Sequence, residues 1–459
     1  MPIRVAVTGS VAPPPAGFAE ADLTLDLASP QRNLTLSLGP LAGCLSTRCR
    51  DLVELAAAVY AADIAVPRGT NEAWVRDLEL FIPVRDPDFW RAQQPATEAL
   101  LYELTADNIA LRFGLLRERA AQRVQAGEQD AAGRQPVGRA DCVSLLSGGL
   151  DSFAGAVVLL RTGRQPLFVS HAPGSPTIEG AQRQVAAALR QRFPGPWQHL
   201  SLRCAPARRK APPPAGGSSA PAQSGAGFPE LPDREPSQRS RSFLFMALAT
   251  AAAEVSGAGE LYVFENGILT VNIPMSPARV GSLSTRTTHP RVLHLFSALA
   301  GAVLGRPVPI VNPFALRTKA EVIRDALKSV MAIDEIQAAV SCWQASRSSR
   351  ACGACVPCLL RRISMLAAGL PDEAYQLDLL ADPLKHPHTD ALANLTDLVA
   401  LAADFTNLHD QVLLGNYPDL LDGEDYGLSA GLVIDLYRRF AREVFQVLDE
   451  HFGATARLR

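Results

Sequence analysis

Residues 142–152, with the sequence CVSLLSGGLDS, give the clearest indication of the fold. The apolar run at the start of this stretch predicts a buried strand, and the residues from Leu150 onward predict a helix. Between them, Gly148 and Gly149 allow the backbone to turn tightly and to approach an anion closely. The amide groups at a helix start, together with the helix dipole, favour a phosphate group. We therefore predict a phosphate-binding loop that joins a strand to a helix.

Three polar side chains complete this predicted loop. Ser147 and Ser152 offer hydroxyl donors to a phosphate. The charge of Asp151 would repel a bare phosphate, so we expect this residue to hold Mg²⁺ or to orient the loop. The stretch lacks the Gly-Lys-Ser/Thr of a Walker A loop and the glycine spacing of a dinucleotide-binding loop. The alternative interpretation is an ordinary strand–turn–helix corner with a Ser/Asp cap.

Strands and helices alternate from residue 141 onward, which predicts an α/β fold with a doubly wound parallel sheet. The predicted strands after the loop are residues 166–170, 198–202, 260–265 and 308–311. The predicted helices are residues 178–192, 237–255, 291–304 and 318–329. This pattern is interrupted at about 205–236 by a stretch dense in Pro, Gly, Ser and Ala, which we predict to be disordered.

The chain has 459 residues, more than one hydrophobic core usually supports, so we expect several domains. We assign residues 1–135 to an N-terminal α+β domain of unknown role. Residues 140–372 form the predicted nucleotide-binding domain, and residues 385–459 form a C-terminal helical extension. In residues 429–452 the apolar side chains fall on one helical face, which we predict to pack on the body of the protein.

Composition points to a protein of the cytoplasm. The apolar fraction is 47%, the charged fraction is 20%, and the formal net charge is −2. These values are ordinary for a globular protein and indicate neither a nucleic-acid partner nor a membrane partner. The first ten residues lack the apolar core of a signal peptide, and no run of about 18 apolar residues predicts a membrane span.

Four of the eight cysteines are clustered at Cys342, Cys352, Cys355 and Cys358. Thiolates at spacings of 10, 3 and 3 residues can close a tetrahedral site. We predict a structural zinc site, because a closed set of four thiolates leaves no open position for catalysis. An iron–sulfur cluster and free thiols remain as alternatives.

The predicted loop resembles the SGGxDS loop of the PP-loop ATP pyrophosphatases, also described as adenine nucleotide alpha hydrolase-like. This superfamily includes GMP synthetase, argininosuccinate synthetase and tRNA thiolation enzymes. The resemblance implies that the loop holds the pyrophosphate of ATP, which is cleaved between its α- and β-phosphates to adenylate a substrate. The residues assigned to ATP binding are Ser147, Gly148, Gly149, Asp151, Ser152, Ser170 and Arg241.

The loop and the later Cys…CxxCxxC run followed by Arg together resemble the 7-cyano-7-deazaguanine synthase (QueC) family. Residues 312–322 are similar to the Pro-then-Thr-Lys segment that precedes the zinc site in that family. Residues 238–244 resemble its Arg-Asn-x-x-Phe-Leu helix start, with Arg241 in the arginine position. The resemblance extends over about residues 141–370 and implies ATP, Mg²⁺ and Zn²⁺ as cofactors.

The resemblance also implies a reaction. In that family the carboxylate of 7-carboxy-7-deazaguanine is adenylated, ammonia gives the amide, and a second ATP gives the nitrile. The residues assigned to catalysis are Asp151, Lys319 and Arg286. Lys319 would neutralise a phosphate or the leaving pyrophosphate, and the alternative is a solvated lysine on a helix.

The sequence departs from the family where a Tyr-Pro-Asp-Cys type motif is expected. A polar loop, about residues 265–290, follows the predicted strand there, and ligands bind at such carboxyl ends in open α/β sheets. We expect its arginines to pair with a carboxylate or phosphate, its Asn and Thr side chains to read a purine-like edge, and His289 to shuttle a proton. The alternative is an ordinary surface loop. The residues assigned to substrate binding are Asn266, Asn272, Arg279, Thr285, Arg286 and His289.

The altered loop and the added N-terminal domain resemble the QueC-like proteins of bacterial anti-phage defence operons (Qat and type IV CBASS). This resemblance implies a ligase that acts on a 7-deazapurine and stops at, or diverts from, the amide. An amine of a partner protein, recruited through the N-terminal domain, would replace ammonia. The alternatives are a nitrile-forming synthase, a tRNA-modifying PP-loop enzyme and a non-enzymatic scaffold.

Overall fold

The computed structural model describes residues 2–8, 15–18, 20–26, 34–69, 74–116, 136–206, 234–275, 286–345, 350–381 and 389–452. Most of the predicted insertion at 205–236 lies outside these residues. The chain divides into two compact units. The first is Met1–Val137, Leu202–Val255 and Leu299–Arg306, and the second is Gly138–Ser201, Ser256–Ala298 and Pro307–Arg459.

The elements are numbered in chain order. The strands are β1 (Ile3–Thr8), β2 (Leu23–Asp26), β3 (Leu34–Ser37), β4 (Asp77–Val84), β5 (Asn108–Leu115), β6 (Cys142–Leu145), β7 (Pro166–Ala172), β8 (Gln198–Pro206), β9 (Glu260–Tyr262) and β10 (Ile310–Val311). The helices are α1 (Thr47–Ala65), α2 (Pro87–Thr105), α3 (Leu150–Arg161), α4 (Pro176–Arg192), α5 (Arg241–Ser256), α6 (Gly267–Val271), α7 (Pro290–Leu304), α8 (Lys319–Val322), α9 (Ile333–Gln337), α10 (Val356–Ala367), α11 (Thr389–Asn407), α12 (Asp410–Asn416) and α13 (Ala430–Val447).

The first unit contains a parallel sheet with strand order β2-β1-β4-β5. Helix α1 begins where the Ser46 side chain accepts a hydrogen bond from the amide of Cys49. Helix α2 begins in the same way at Asp86, with Pro87 in the first turn. In the same unit, residues 203–206 of β8 pair antiparallel with β3.

The segment before α5 belongs to this first unit because polar contacts hold it there. The Asp63 carboxylate accepts hydrogen bonds from the amide and the hydroxyl of Ser240, at 2.9 and 2.8 Å. The Glu235 carboxylate accepts from the amide of Arg68 at 2.8 Å. Residues 202–255 therefore lie with the N-terminal elements, whereas the sequence placed them in the 140–372 domain. The domain boundaries themselves stay a prediction.

The second unit is built on the parallel strands β10-β9-β6-β7, followed by the first residues of β8. The chain runs from β6 through β7 to β8 in one direction, and then returns to place β9 on the other side of β6. The strand order therefore reverses between β6 and β9, and such a switch point opens a crevice at the carboxyl ends of the strands. This sheet confirms the predicted doubly wound parallel fold.

The C-terminal extension packs on the second unit. The apolar face of α13 is buried with residues of α6, α10 and α11 in one hydrophobic cluster. Its buried side chains include those of Val433, Leu436, Tyr437, Phe440 and Val444. The predicted packing of this face is therefore confirmed. Among the helices that the structure describes, none combines the length and the hydropathy that a membrane span requires.

Candidate functional site

The loop between β6 and α3 has a conformation that requires glycine. Gly148 has φ of +83°, in the left-handed region. A Cβ atom at Gly148 would lie 3.0 Å from the backbone nitrogen of Gln182. The carbonyl of Gly148 accepts a hydrogen bond from the amide of Val340 at 2.9 Å. The tight turn inferred from the sequence is thus present, and a neighbouring loop supports it.

Two serines hold the shape of this loop. The Ser152 hydroxyl accepts from the amide of Ser147 at 3.2 Å and donates to the carbonyl of Gly149 at 3.0 Å. The Ser147 hydroxyl accepts from the amide of Gly149 at 3.2 Å, and the Ser147 side chain is exposed. Gly149 precedes α3, and no side chain in the described part of the chain caps that helix. The first amide groups of α3 therefore remain available to an anion.

Asp151, in the first turn of α3, forms a buried ion pair. Its Oδ2 atom accepts hydrogen bonds from the Lys319 ammonium group and, at 3.2 Å, from the Asn266 side-chain amide. Asp151 is 7% exposed and Lys319 is 6% exposed. Lys319 is therefore not the solvated lysine that the sequence left as an alternative.

The second carboxylate oxygen of Asp151 is buried, and no donor among the described residues reaches it. A buried carboxylate oxygen without a donor is unusual, because desolvation without a hydrogen bond is costly. Oxygen atoms of this kind are the ligands that Mg²⁺ prefers. This atom makes Asp151 a fitting residue for a metal ion beside the loop.

Glu265 adds a second carboxylate to this position. It follows β9, and one of its oxygens accepts from the same Asn266 amide at 3.2 Å. Burial and then the charge of Asp151 raise the pKa of Glu265 well above its usual value, while Lys319 opposes that rise. Two crowded carboxylates are stabilised by a shared cation or proton. The acidic pair therefore fits Mg²⁺, with Asp151 and Glu265 as the residues that would hold it.

The sequence placed Glu265 in the polar loop and Asn312 in the segment before the cysteines, but it assigned no role to either residue. The Asn312 amide donates to the carbonyl of Glu265 at 2.9 Å and to the Thr270 hydroxyl at 2.8 Å. These bonds tie the end of β10 to the end of β9. An acidic residue at the carboxyl end of a strand adjacent to β6 was the available signal for Glu265. That signal could be used only once the strand order was known.

Three residues assigned to ligand binding from the sequence have contacts within the protein. Asn266 is buried and caps α6, because its side-chain oxygen accepts from the amide of Leu269 at 3.3 Å. Asn272 ends the same helix with φ of +51°. Ser170 is buried behind the loop, where its hydroxyl donates to the carbonyl of Leu146. These contacts shape the site from within the protein.

Arg286 is paired with acidic residues of the C-terminal extension. Its guanidinium lies 2.8 Å from an Asp422 oxygen and 3.2 Å from an Asp419 oxygen. Its charge is therefore matched within the chain, which differs from the predicted pairing with a ligand. Arg279 and Thr285, the other predicted residues of this loop, lie outside the described residues.

His289 is a buried residue at the end of the polar loop. Its Nδ1 atom accepts from the amide of Arg291 at 3.3 Å. Burial, and next the charge of Arg286, lower the pKa of His289 to about 4. A pKa lowered in this way favours the neutral imidazole near pH 7, and the proton shuttling expected from the sequence stays a prediction.

Arg241 lies in the first unit, where its guanidinium donates to the Gln238 side chain at 3.3 Å. The Arg-Asn-x-x-Phe-Leu pattern places its arginine four residues before the phenylalanine. Arg239 has this spacing to Phe243, whereas Arg241 does not. Arg239 is buried, with its guanidinium 4.9 Å from the centre of the Trp74 ring. The spacing therefore assigns the arginine of the pattern to Arg239.

The four clustered cysteines form a buried site. Their sulfur atoms all lie within 4.8 Å of one another. The sulfur of Cys358 lies 3.8 Å from that of Cys352 and 3.4 Å from that of Cys355. Four thiolates on one zinc ion, with bonds of about 2.3 Å in a tetrahedron, place neighbouring sulfurs about 3.8 Å apart. The donor set and its spacing fit zinc.

Backbone contacts support this cluster and connect it to the loop. The sulfur of Cys342 accepts from the amides of Gln344 and Cys352, at 3.3 and 3.4 Å. Val340, two residues before the first cysteine, is the residue that donates to Gly148. The fully buried Arg361 binds the carbonyl of Ala339 and the Asp372 carboxylate. The cysteine cluster therefore holds a segment that packs directly on the glycine loop.

Sequence comparison with known proteins indicates the same family as the glycine loop and the cysteine cluster. The family model described as "Queuosine biosynthesis protein QueC" matches residues 239–369. The 7-cyano-7-deazaguanine synthase of Thiobacillus denitrificans is 30% identical over 239 residues, which is 50% of this chain and 95% of that protein. The corresponding proteins of Aromatoleum aromaticum and an Anaeromyxobacter species are 31% and 34% identical over 137 residues. These two matches cover 29% of this chain and 54% and 52% of the relatives.

The match to the Thiobacillus denitrificans protein extends over nearly the whole of that protein. The glycine loop and the cysteine cluster both lie within the second unit of the fold. The chain belongs to the 7-cyano-7-deazaguanine synthase (QueC) family.

Proposed function

We propose that this protein is an ATP-dependent ligase of the cytoplasm that adenylates a 7-carboxy-7-deazaguanine-like carboxylate, releases pyrophosphate and forms an amide. The observation that supports this most is the buried Lys319–Asp151 pair beside the uncapped start of α3. A cation and free amide groups next to a glycine turn suit the charge of a pyrophosphate group. Their position at the switch point between β6 and β9 is where α/β sheets bind ligands.

The groups of the loop and those beside it would each interact with ATP in a different way. The first amides of α3 and the exposed Ser147 hydroxyl would bind the outer phosphates. Lys319 would balance the charge of the leaving pyrophosphate. Asp151 and Glu265 would hold Mg²⁺, which supplies further neutralisation of the phosphates when bound.

The reaction would proceed in two steps. An oxygen of the substrate carboxylate attacks the α-phosphorus, the bond to the bridging oxygen of the β-phosphate breaks, and pyrophosphate leaves. An amine nitrogen then attacks the carbonyl carbon of the adenylate, loses a proton, and displaces AMP. The chain's contribution is to position ATP and to stabilise the charge that develops on the leaving groups.

Zinc at the four cysteines would serve the fold. A closed set of thiolates offers no position for a substrate. By holding the segment before Cys342, the ion would keep Val340 against the carbonyl of Gly148. The metal would thus support the loop from the side opposite to the nucleotide.

For the nucleophile we propose an amine of a partner protein, in an anti-phage defence system, with ammonia as the simpler acceptor. Residues 265–290 lack the motif of the nitrile-forming enzymes, and the first unit adds a folded region that could recruit a partner. The second candidate is 7-cyano-7-deazaguanine synthesis. The match over 95% of the Thiobacillus protein, which carries that name, favours it.

The test uses the full-length protein with ATP, 7-carboxy-7-deazaguanine and either ammonium or a candidate partner protein. Mass spectrometry is expected to find the amide with ammonium and a mass increase on the partner protein. A nitrile product, with two ATP consumed and no adduct on protein, would refute the amide-conjugating function.

Paired lysine variants control this experiment. Lys319→Met is expected to abolish product formation because it removes the buried cation. Lys328→Met should leave it intact, since the Lys328 ammonium is bound to the carbonyl of Ala368 at 2.7 Å, outside the site.

A further inference from the structure

The C-terminal helix α13 places two charged side chains one turn apart against the start of α8. The Glu443 carboxylate accepts a hydrogen bond from the Thr318 hydroxyl at 2.7 Å. The Arg439 guanidinium donates to both carboxylate oxygens of Glu321 and, at 3.0 Å, to the carbonyl of Leu316. Neither Glu443 nor Arg439 lies within residues 239–369, the region that the family model matches.

The two groups that α13 binds are the two halves of a capping box. The Thr318 hydroxyl accepts from the amide of Glu321 at 3.1 Å, and the Glu321 carboxylate accepts from the amide of Thr318 at 2.9 Å. Such a box fixes the first turn of a helix. The residue directly after Thr318 is Lys319, so the box fixes the backbone position from which the Lys319 side chain extends to Asp151.

The regular α-helical part of the element that carries Lys319 is a single turn. Helix α8 spans only Lys319–Val322 and passes into a π-helical turn at Ile323–Leu327. A single helical turn is marginal without external packing. The contacts from α13 supply that packing at the end of the helix where the lysine lies.

The same helix also supports the other side of the site. The Tyr437 hydroxyl accepts from the amide of Ile273 and donates to the carbonyl of Ile268, both at 3.2 Å. These two residues belong to the segment that follows Glu265 and Asn266. Helix α13 therefore contacts both segments that face Asp151.

We propose that Glu443 and Arg439 are positioning residues for Lys319, acting through Thr318 and Glu321. This inference rests on the proposed function of Lys319 in balancing the charge of pyrophosphate. Neither residue of α13 touches the nucleotide. Their effect is to keep the ammonium group at its place beside Asp151, so the C-terminal extension becomes part of the ATP-cleaving site.

The test compares Glu443→Ala with Glu443→Gln in substrate-dependent pyrophosphate release. Glu443→Ala is expected to lower kcat by about tenfold or more, because small displacements of a catalytic group have effects of this size. The KM for ATP should change less, since the loop amides remain. Glu443→Gln should retain kcat within about threefold of wild type, because its amide oxygen still accepts from Thr318.

Val447→Ala is the matched control for lost packing. Val447 is buried one turn beyond Glu443 on the same helix, within the hydrophobic cluster. This variant should lower the free energy of unfolding and leave kcat unchanged. If Glu443→Ala does not fold, Thr318→Val and Thr318→Ser test the capping box and its contact with Glu443 together, with loss of kcat expected only for valine.

Two results would overturn the inference: wild-type kcat in a folded Glu443→Ala or Thr318→Val protein, or an equal loss of kcat in Val447→Ala. Lys319→Met separates these failures from failure of the proposed function. If Lys319→Met releases pyrophosphate normally, the role of the lysine itself is refuted. If Lys319→Met is inactive while Glu443→Ala is active, only the positioning role is refuted.

Discussion

Replacement of Gly148 by alanine tests the geometry of the phosphate loop. The backbone at Gly148 has φ of +83°, which costs a residue with a Cβ atom about 1–2 kcal/mol. The new methyl group would also lie 3.0 Å from the Gln182 nitrogen and 3.3 Å from the carbonyl carbon of Ala181. Backbone atoms cannot move aside as a flexible side chain can, so overpacking adds about 1–3 kcal/mol. We expect a total loss of about 2–5 kcal/mol in the free energy of unfolding.

The loop can relieve this strain only by moving away from α4, which displaces the amides that would bind phosphate. Pyrophosphate release should therefore fall by at least about tenfold, even where the variant remains folded. Gly163→Ala is the control, because Gly163 has φ of +76° and no atom of the described residues lies within 4 Å of the added Cβ. It should lose only about 1–2 kcal/mol and keep its activity. Urea unfolding measures the stability, and a pyrophosphate assay measures the activity. Equal losses in the two variants would show that the loop does not depend on the close approach of Gly148 to Gln182.

Three further predictions concern the metal and two buried ionisable groups. Cys358→Ser should lower the bound zinc from about one ion per chain, as measured by elemental analysis. It should lower Tm and pyrophosphate release together. Full activity in a zinc-free protein would contradict this prediction. Burial raises the pKa of Glu443 from 4.5 to about 7, so its ionisation should cost up to about 3 kcal/mol of stability as pH rises from 4.5 through 7. Relative to wild type, Glu443→Gln should therefore be more stable at pH 8 than at pH 5 in urea unfolding, and a constant difference would refute the shift. The pKa of His289 is lowered to about 4, so stability should be full above pH 6.5 and fall by up to about 3 kcal/mol as pH drops toward 4. His289→Gln should flatten that acid limb, and an unchanged limb would contradict the assignment.

The features that the sequence predicted correctly depend on residues that are close together in the chain. The turn at Gly148 and the helix after it depend on neighbouring residues. The cysteine cluster depends on spacings that a metal ion requires, and the structure confirms that its sulfurs lie together. The alternation of strands and helices likewise predicted the parallel sheet, because each connection must return the chain to the same edge.

The features that the sequence could not resolve depend on long-range contacts. Glu265 meets Asp151 only because β9 lies beside β6, and no local pattern fixes that order. Arg286 forms ion pairs with Asp419 and Asp422, which lie more than a hundred residues away in the chain. The sequence alone gave no sign of these partners. Asn266 is a residue type that often binds ligands, but here it caps a helix. Both roles use the side-chain amide group, so the sequence alone does not distinguish them.

The products of ATP cleavage distinguish adenylation of the substrate from other uses of ATP. Full-length protein, ATP labelled at the α-phosphate and 7-carboxy-7-deazaguanine would be incubated with ammonium, and the labelled products separated. Labelled AMP with an equal amount of pyrophosphate is expected from the wild type, and neither product from Lys319→Met. Labelled ADP with orthophosphate, or AMP formed equally well by Lys319→Met, would contradict this expectation.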